Sequence, residues 1–230
     1  MKSLVIKQVG NYHLEPDYVE VPKITSDTAI LKVEACGLCG SDVEQYKGSF
    51  GYVTYPLIPG HEPIGQILEI GENAKNRWKV KEGDYVALEP HISCGHCFSC
   101  KIGNYHLCKI ESKKIKWLDQ EGLPAYGYMP MSHDHGLWGG YSEYMYLHPN
   151  TVLHKIPKNV PLPIASIYQA IAAGVRWAVQ VPKTSIGDTI LILGPGQRGI
   201  ASVIACKEIG AKKIIVTGLK KDKHKLSLCK

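Results

Sequence analysis

The sequence predicts an α/β chain in two parts: a turn-rich β domain, then the opening of a doubly wound parallel sheet. Three observations carry this. Up to about Asn150, short apolar runs such as AILKVEA, IGQILEIG and DYVALEP are punctuated by glycine, proline or aspartate, the texture of strands joined by turns. After the link HPNTVLHKIPKNVPLP the texture changes to a small-residue helical pattern, IASIYQAIAAGVRWAVQ. Strand, helix, strand and a further helix start then follow, as TILIL, GIASVIACKEIGA, KKIIVTGL and KDKHKLSLCK. These last strands are continuously apolar, which suits a parallel sheet buried on both faces. The expected domains are 1–155 and 156–230. Two parallel strands cannot bury both faces, so the chain reads as the first part of a longer protein. Residues 111–136, rich in Lys, Tyr, Met and His, read as a surface excursion.

Bulk properties narrow the function classes. With 44% hydrophobic residues the chain can build real cores and is not a disordered segment. The net charge of +6 does not by itself argue for nucleic acid, and no nucleic-acid partner is expected. Much of the excess sits in AKKIIVTGLKKDKHKLSLCK, which reads as a solvated helix face with a basic turn, or alternatively as an anion site. No run approaches the roughly 18 apolar residues of a membrane span, and MKSLVIKQVG lacks the apolar core of a signal peptide. The expectation is a cytoplasmic protein without a membrane partner. There, thiols stay reduced, and clustered cysteines among the eight read as metal ligands rather than disulfides.

The strongest local signal is CGHCFSCKIGNYHLC, with Cys94, Cys97, Cys100 and Cys108. Four thiolates at these spacings can close a tetrahedron around one zinc ion, leaving no position open for substrate, so the site reads as structural. Binding would contribute on the order of 10 kcal/mol to folding the loop. His96 and His106 read as loop histidines, since four cysteines suffice; an iron–sulfur cluster is the competing chemistry. Further on, GPGQRG fits G-x-G-x-x-G between a predicted strand and a predicted helix, the context that makes the pattern a dinucleotide site. Gly194 allows the tight turn, Gly196 admits a pyrophosphate, and Gly199 lets helix and strand pack closely. Gln197 and Arg198 open the helix, whose N-terminus offers N–H groups to phosphate. At the end of the second strand, where an acid would hold the ribose of NAD, stand Gly218 and then Lys220, Lys221 and Asp222. The missing acid leans towards NADP, while Asp222 reaches the ribose or caps the next helix; NAD and NADP both stay open.

In CGLCGSD, Cys36 and Cys39 have the spacing of a redox pair or half a zinc knuckle. Taken in order with PGHEPIG at 59–65, the four-cysteine loop, GGYSEY at 139–144 and GPGQRG, the chain resembles the zinc-dependent medium-chain dehydrogenase/reductase family along essentially its whole length. The resemblance implies a GroES-like β-barrel catalytic domain followed by a Rossmann domain, of which only the first part is present. It implies two zinc ions, one catalytic and one structural, and a homodimer or homotetramer. Carried over residue by residue, it assigns the catalytic zinc to Cys39 and His61, with Glu62 beside the metal. Asp42 matches the aspartate that orients the zinc-bound histidine, and Ser41 the hydroxyl that starts the proton relay. Cys36 is then a small residue at a strand end.

Three departures from the family stand out. Gln169 occupies the usual third-ligand position, where a neutral amide is a poor zinc ligand. Glu62 replaces it, a water bridges, or the alignment slips. Glu44 stands where some members have a relay histidine, and is either a proton carrier or merely exposed. Arg198 stands where a small apolar residue is common, to touch the pyrophosphate or close the cleft. The implied activity is reversible hydride transfer between a small alcohol or carbonyl substrate and NAD(P). The alternatives are a relative without catalytic zinc that reduces activated double bonds, and a zinc-ribbon binding module. Tyr46, Phe50, Trp117 and Trp138 are candidates for a substrate pocket or for packing.

Overall fold

The structure is a computed structural model that describes residues 1–51, 53–108 and 124–230. It divides into two compact units, Met1–Ser166 and Ile167–Lys230.

In the first unit β1 (Lys2–Gly10) and β2 (His13–Glu20) form an antiparallel hairpin. The three runs singled out in the sequence become β3 (Ala29–Gly37), β4 (Glu62–Ile70) and β5 (Tyr85–Leu88). With β6 (Tyr144–Leu147) and β7 (Leu153–Lys155) they make a five-stranded antiparallel sheet in the order β6-β3-β4-β5-β7. The hairpin is tied to the same body by the bridges Gln8↔Leu57 and Val5↔Ser142. One face of the sheet carries Leu31, Ile67, Val86, Leu88, Met145 and Leu147 into a core completed by Tyr126, Met129 and Trp138. Each such fully buried side chain stabilises the fold by roughly 1.5–3 kcal/mol relative to exposure. Trp138 is core, with its Nε1 donating to His133 O at 2.9 Å. Trp117 lies outside the described residues. Short helices interrupt the strands: α1 (Gly40–Lys47), α2 (Glu72–Trp78), α3 (Phe98–Lys101) and α4 (Leu162–Ala165).

The first unit extends past the 155/156 boundary expected from the sequence. Ile156 donates its N–H to Tyr85 O at 2.8 Å, and α4 packs beside β3, so this stretch belongs to the β body. The long helical pattern of 164–180 is accordingly broken. It ends α4, turns at Ser166 and Ile167, and resumes as α5 (Tyr168–Gly174), which runs into a π-helical stretch, Val175–Gln180.

The second unit continues with β8 (Thr189–Leu193), α6 (Gln197–Glu208), β9 (Lys213–Thr217) and α7 (Lys223–Ser227). β8 and β9 are parallel, with Thr189 opposite Lys213 and Leu193 opposite Thr217, joined by α6 as a βαβ unit. Gly174 of α5 lies against Ala201 of α6 so closely that a Cβ there would strike its backbone. Among the described residues no helix is long and apolar enough to cross a membrane.

Candidate functional site

The pairing of β3 with β4 builds the first site. Gly37, the last residue of β3, lies opposite Glu62, the first of β4, so the chain leaving β3 meets the chain entering β4. Cys39 then caps the N-terminus of α1, and His61 and Glu62 arrive from the other side. The entry to β4 depends on Gly60, whose φ of +92° is strained for a side chain and whose Cβ would collide with Tyr141. The Cys39 thiol, one His61 ring nitrogen and one Glu62 carboxylate oxygen all lie within 4.8 Å of one another, and all three residues are buried.

Asp42 ties this cluster to the helix. Its Oδ2 accepts the Cys39 N–H at 2.7 Å, and its Oδ1 faces His61 Nδ1 at 3.2 Å. Burial works to lower the His61 pKa, but the hydrogen bond and charge of Asp42 outweigh it, and the imidazole sits above its usual value. Ser41 Oγ is 3.4 Å from His61 Nε2. Thiolate, imidazole and carboxylate are the donor types zinc takes. Glu62 is fully buried, and a buried carboxylate is costly without a cation, so the residues present fit a metal ion.

The second cluster is self-contained. Cys94, Cys97, Cys100 and Cys108 bring their sulfurs within 4.8 Å of one another. Cys97 Sγ and Cys100 Sγ are 3.5 Å apart, and Cys94 Sγ and Cys100 Sγ 3.9 Å. α3 and a 3-10 turn at Tyr105–Leu107 supply the geometry, and backbone N–H groups of Cys94 and Cys97 point at Cys108 and Cys94 sulfurs. Burial and the neighbouring Cys97 push the Cys100 thiol up to about 11, so a cation is what would make this cage a set of thiolates. His96 and His106 are exposed, and His96 Nδ1 lies 2.7 Å from the Cys94 carbonyl, outside the cage.

The third site lies in the second unit. β8 is followed by Gly194, whose φ is +99° and whose N–H donates to Thr217 O at 2.9 Å. Gly196 precedes the first residue of α6, and a Cβ there would meet open space, leaving room for a ligand to approach the backbone. A Cβ at Gly199 would strike the Gly194 carbonyl, so the close approach of helix to strand requires glycine. The corner therefore fits a pyrophosphate at the N-terminus of a 12-residue helix. The Arg198 guanidinium lies over the Trp177 ring at 5.2 Å, a cation–π contact within the same unit.

Comparison with known proteins bears on the family and the fold. The alcohol dehydrogenase GroES-like domain matches residues 25–158, more than half of the chain. The chain belongs to the alcohol dehydrogenase GroES-like family. A probable alcohol dehydrogenase of Mycobacterium tuberculosis is 40% identical over 210 residues, covering 90% of this chain and 54% of the relative. A D-arabitol-phosphate dehydrogenase of Enterococcus avium is 33% identical over 213 residues, covering 92% and 54%. The chain thus spans about half the length of the curated relatives it matches. Among solved structures, an alcohol dehydrogenase of Thermotoga maritima superposes with a TM-score of 0.82 at 25% identity, covering 100% of this chain and 60% of its own. A zinc-binding dehydrogenase of Sinorhizobium meliloti bound to NADP gives 0.77 at 25%, covering 100% and 59%. An Escherichia coli alcohol dehydrogenase complexed with NADH gives 0.78 at 27%, covering 98% and 59%. The GroES-like β domain and partial Rossmann fold expected from the sequence are what the fold shows.

Within this family frame the candidate residues sort unevenly. Cys39, Ser41, Asp42, His61 and Glu62 converge. Glu44 does not join them: it is exposed, paired with Lys47 at 3.1 Å, and accepts a hydrogen bond from Ser49 at 2.9 Å. Gln169 sits on α5 of the second unit, where its Nε2 donates to Tyr168 Oη at 3.1 Å. Cys36, next to last in β3, is a thiol whose pKa burial pushes up to about 12, an inert group. Asp222 is a turn residue, its Oδ2 accepting the Leu219 N–H at 3.1 Å.

One residue escaped the sequence reading. Tyr128 Oη donates to Ser41 Oγ at 3.3 Å and lies 3.4 Å from His61 Nδ1, its ring 5.2 Å from the imidazole and 6.2 Å from Phe50. It comes from 87 residues further along the chain than Ser41, and AYGYMPM carries no motif, so only tertiary contact reveals it. Tyr46 is turned to the hairpin, donating to Tyr12 O at 2.9 Å.

Proposed function

We propose that the protein is a zinc-dependent oxidoreductase that transfers hydride reversibly between an alcohol or polyol hydroxyl and a nicotinamide dinucleotide. The observation that carries this is the buried cluster of Cys39, His61 and Glu62 in the same chain as a separate four-cysteine cage and a glycine corner. Cys39, His61 and Glu62 would hold one zinc ion, with Glu62 as the third protein ligand. Cys94, Cys97, Cys100 and Cys108 would hold a second. When bound, zinc supplies Lewis-acid polarisation of the substrate oxygen and the dinucleotide supplies the hydride acceptor.

The chain's own residues do the rest. Asp42 keeps the His61 ring oriented and adds negative charge behind it, a role that strengthens a metal-ligating imidazole. Ser41 Oγ would accept a hydrogen bond from the substrate hydroxyl, and Tyr128 Oη, which donates to the same oxygen at 3.3 Å, would hold it in place. Gly194 to Gly199 and the first turn of α6 bind the pyrophosphate, which fixes the nicotinamide end by attachment. The four-cysteine cage shapes its loop and carries no reaction.

Zinc analysis of the full chain tests this. About two zinc ions per chain, and NAD(P)H formation with members of an alcohol and polyol panel, are expected; about one zinc per chain would remove the first site. The family resemblance supports a homodimer or homotetramer, which light scattering measures. None of the eight cysteines is in a disulfide, which suits a reducing compartment, and we assign the protein to the cytoplasm.

A further inference from the structure

The end of β9 and the turn after it lie against the glycine corner, yet pyrophosphate binding does not use them. The Gly194 N–H bonds Thr217 O at 2.9 Å, and a Cβ on Gly218 would come within 3.0 Å of Pro195 in the corner. A dinucleotide seated on the corner presents its adenosine ribose to this strand end. An acidic side chain there accepts from both ribose hydroxyls and repels a 2′-phosphate. This chain has Gly218, which offers no side-chain acceptor.

Asp222, the next acid along the chain, spends one carboxylate oxygen on the turn. Its Oδ2 accepts the Leu219 N–H at 3.1 Å while its own N–H bonds Leu219 O at 2.9 Å, so it closes the turn. Between these positions stand Lys220 and Lys221, both exposed, on the single 3-10 turn Lys220–Asp222. Among the described residues neither lysine is in an ion pair.

We propose that this strand end recognises the ribose 2′-phosphate, so that the chain binds NADP(H) in preference to NAD(H), with Lys220 and Lys221 as the cations. The proposal rests on the dinucleotide reading of the glycine corner. A phosphate monoester carries about −1.5 to −2 charge at pH 7, and two ammonium groups on flexible stems can reach it without ordering the backbone further. The absence of an acid at position 218 removes the like-charge repulsion that would otherwise exclude it.

The full chain is titrated separately with NADPH and NADH, reading nicotinamide emission excited through the tryptophans. One or two charge-assisted contacts predict NADPH binding about tenfold or more tighter than NADH. The double variant Lys220→Ala/Lys221→Ala should lose about that factor for NADPH and leave NADH unchanged, a selectivity that general unfolding would not produce. Competition by 2′,5′-ADP over 5′-ADP should show the same preference without the nicotinamide. Equal binding of the two dinucleotides, tighter NADH binding, or a double variant that keeps the NADPH affinity overturns the proposal while leaving the corner's role intact. If neither dinucleotide binds, the reading of the corner fails and the preference falls with it.

Discussion

Asp42 serves two neighbours at once, and two substitutions separate its roles. Its Oδ2 accepts the Cys39 N–H at 2.7 Å in a site where Asp42 is 7% exposed, and its Oδ1 faces His61 Nδ1 at 3.2 Å. Asp42→Ala strands a buried N–H at the start of α1 and frees the His61 ring. A lost cap or an unsatisfied buried donor costs about 1–3 kcal/mol, which chemical denaturation of the zinc-stripped protein reads as a lower midpoint at constant slope. Losing the partner of a metal-ligating histidine costs about 10–100-fold in zinc affinity, read by chelator competition. Asp42→Asn keeps an acceptor oxygen for the Cys39 N–H but not the charge beside His61. It should therefore retain most of the stability and still lose affinity for the first zinc. The four-cysteine site serves as internal control, since its sulfurs form a separate group and its affinity should not move. An Asp42→Ala protein with parental stability and parental zinc affinity would refute this account of the site.

Cys39→Ala should lower zinc content from about two ions per chain to about one and abolish dehydrogenase activity, whereas Cys36→Ala should keep both, because a closed tetrahedral cage and an inert thiol are independent of the first site. Tyr128→Phe keeps the ring against His61 and Phe50 but removes the oxygen that donates to Ser41; kcat should fall about tenfold with zinc content unchanged, the scale of one hydrogen bond to a reacting group. His135, packed 3.9 Å from the Tyr146 ring and 4.3 Å from that of Trp138, is pushed down to about 4 by burial. Its folded value lies below the unfolded one, so the unfolded chain binds the proton first. Stability is then full above about pH 6.5 and is lost as pH falls towards 4, by on the order of 3 kcal/mol. His135→Phe should flatten denaturation midpoints across that window; an unchanged slope would remove His135 as the cause.

Chemistry carried by short-range pattern is legible in the sequence. Four cysteines within fifteen residues need little beyond a loop to close a cage, and GPGQRG between a strand and a helix dictates its own turn through Gly194 and its own close packing through Gly199. The order of CGLCGSD and PGHEPIG was enough to nominate Cys39, Asp42 and His61, since side chains at a strand exit and a strand entry meet whenever the two strands pair. What the tertiary structure decided depended on long-range contact. Glu44 and Ser41 are three positions apart on α1, yet Ser41 points into the cluster while Glu44 is held at the surface by Lys47 and Ser49. Tyr128 reaches Ser41 across 87 positions, and the segment after β7 joins the β body because one backbone bond to Tyr85 continues the sheet's edge. Local pattern names the groups able to do chemistry. Which of them share a buried volume is set by strand pairing and packing between segments far apart in the chain, and those pairings are written in no single stretch of it.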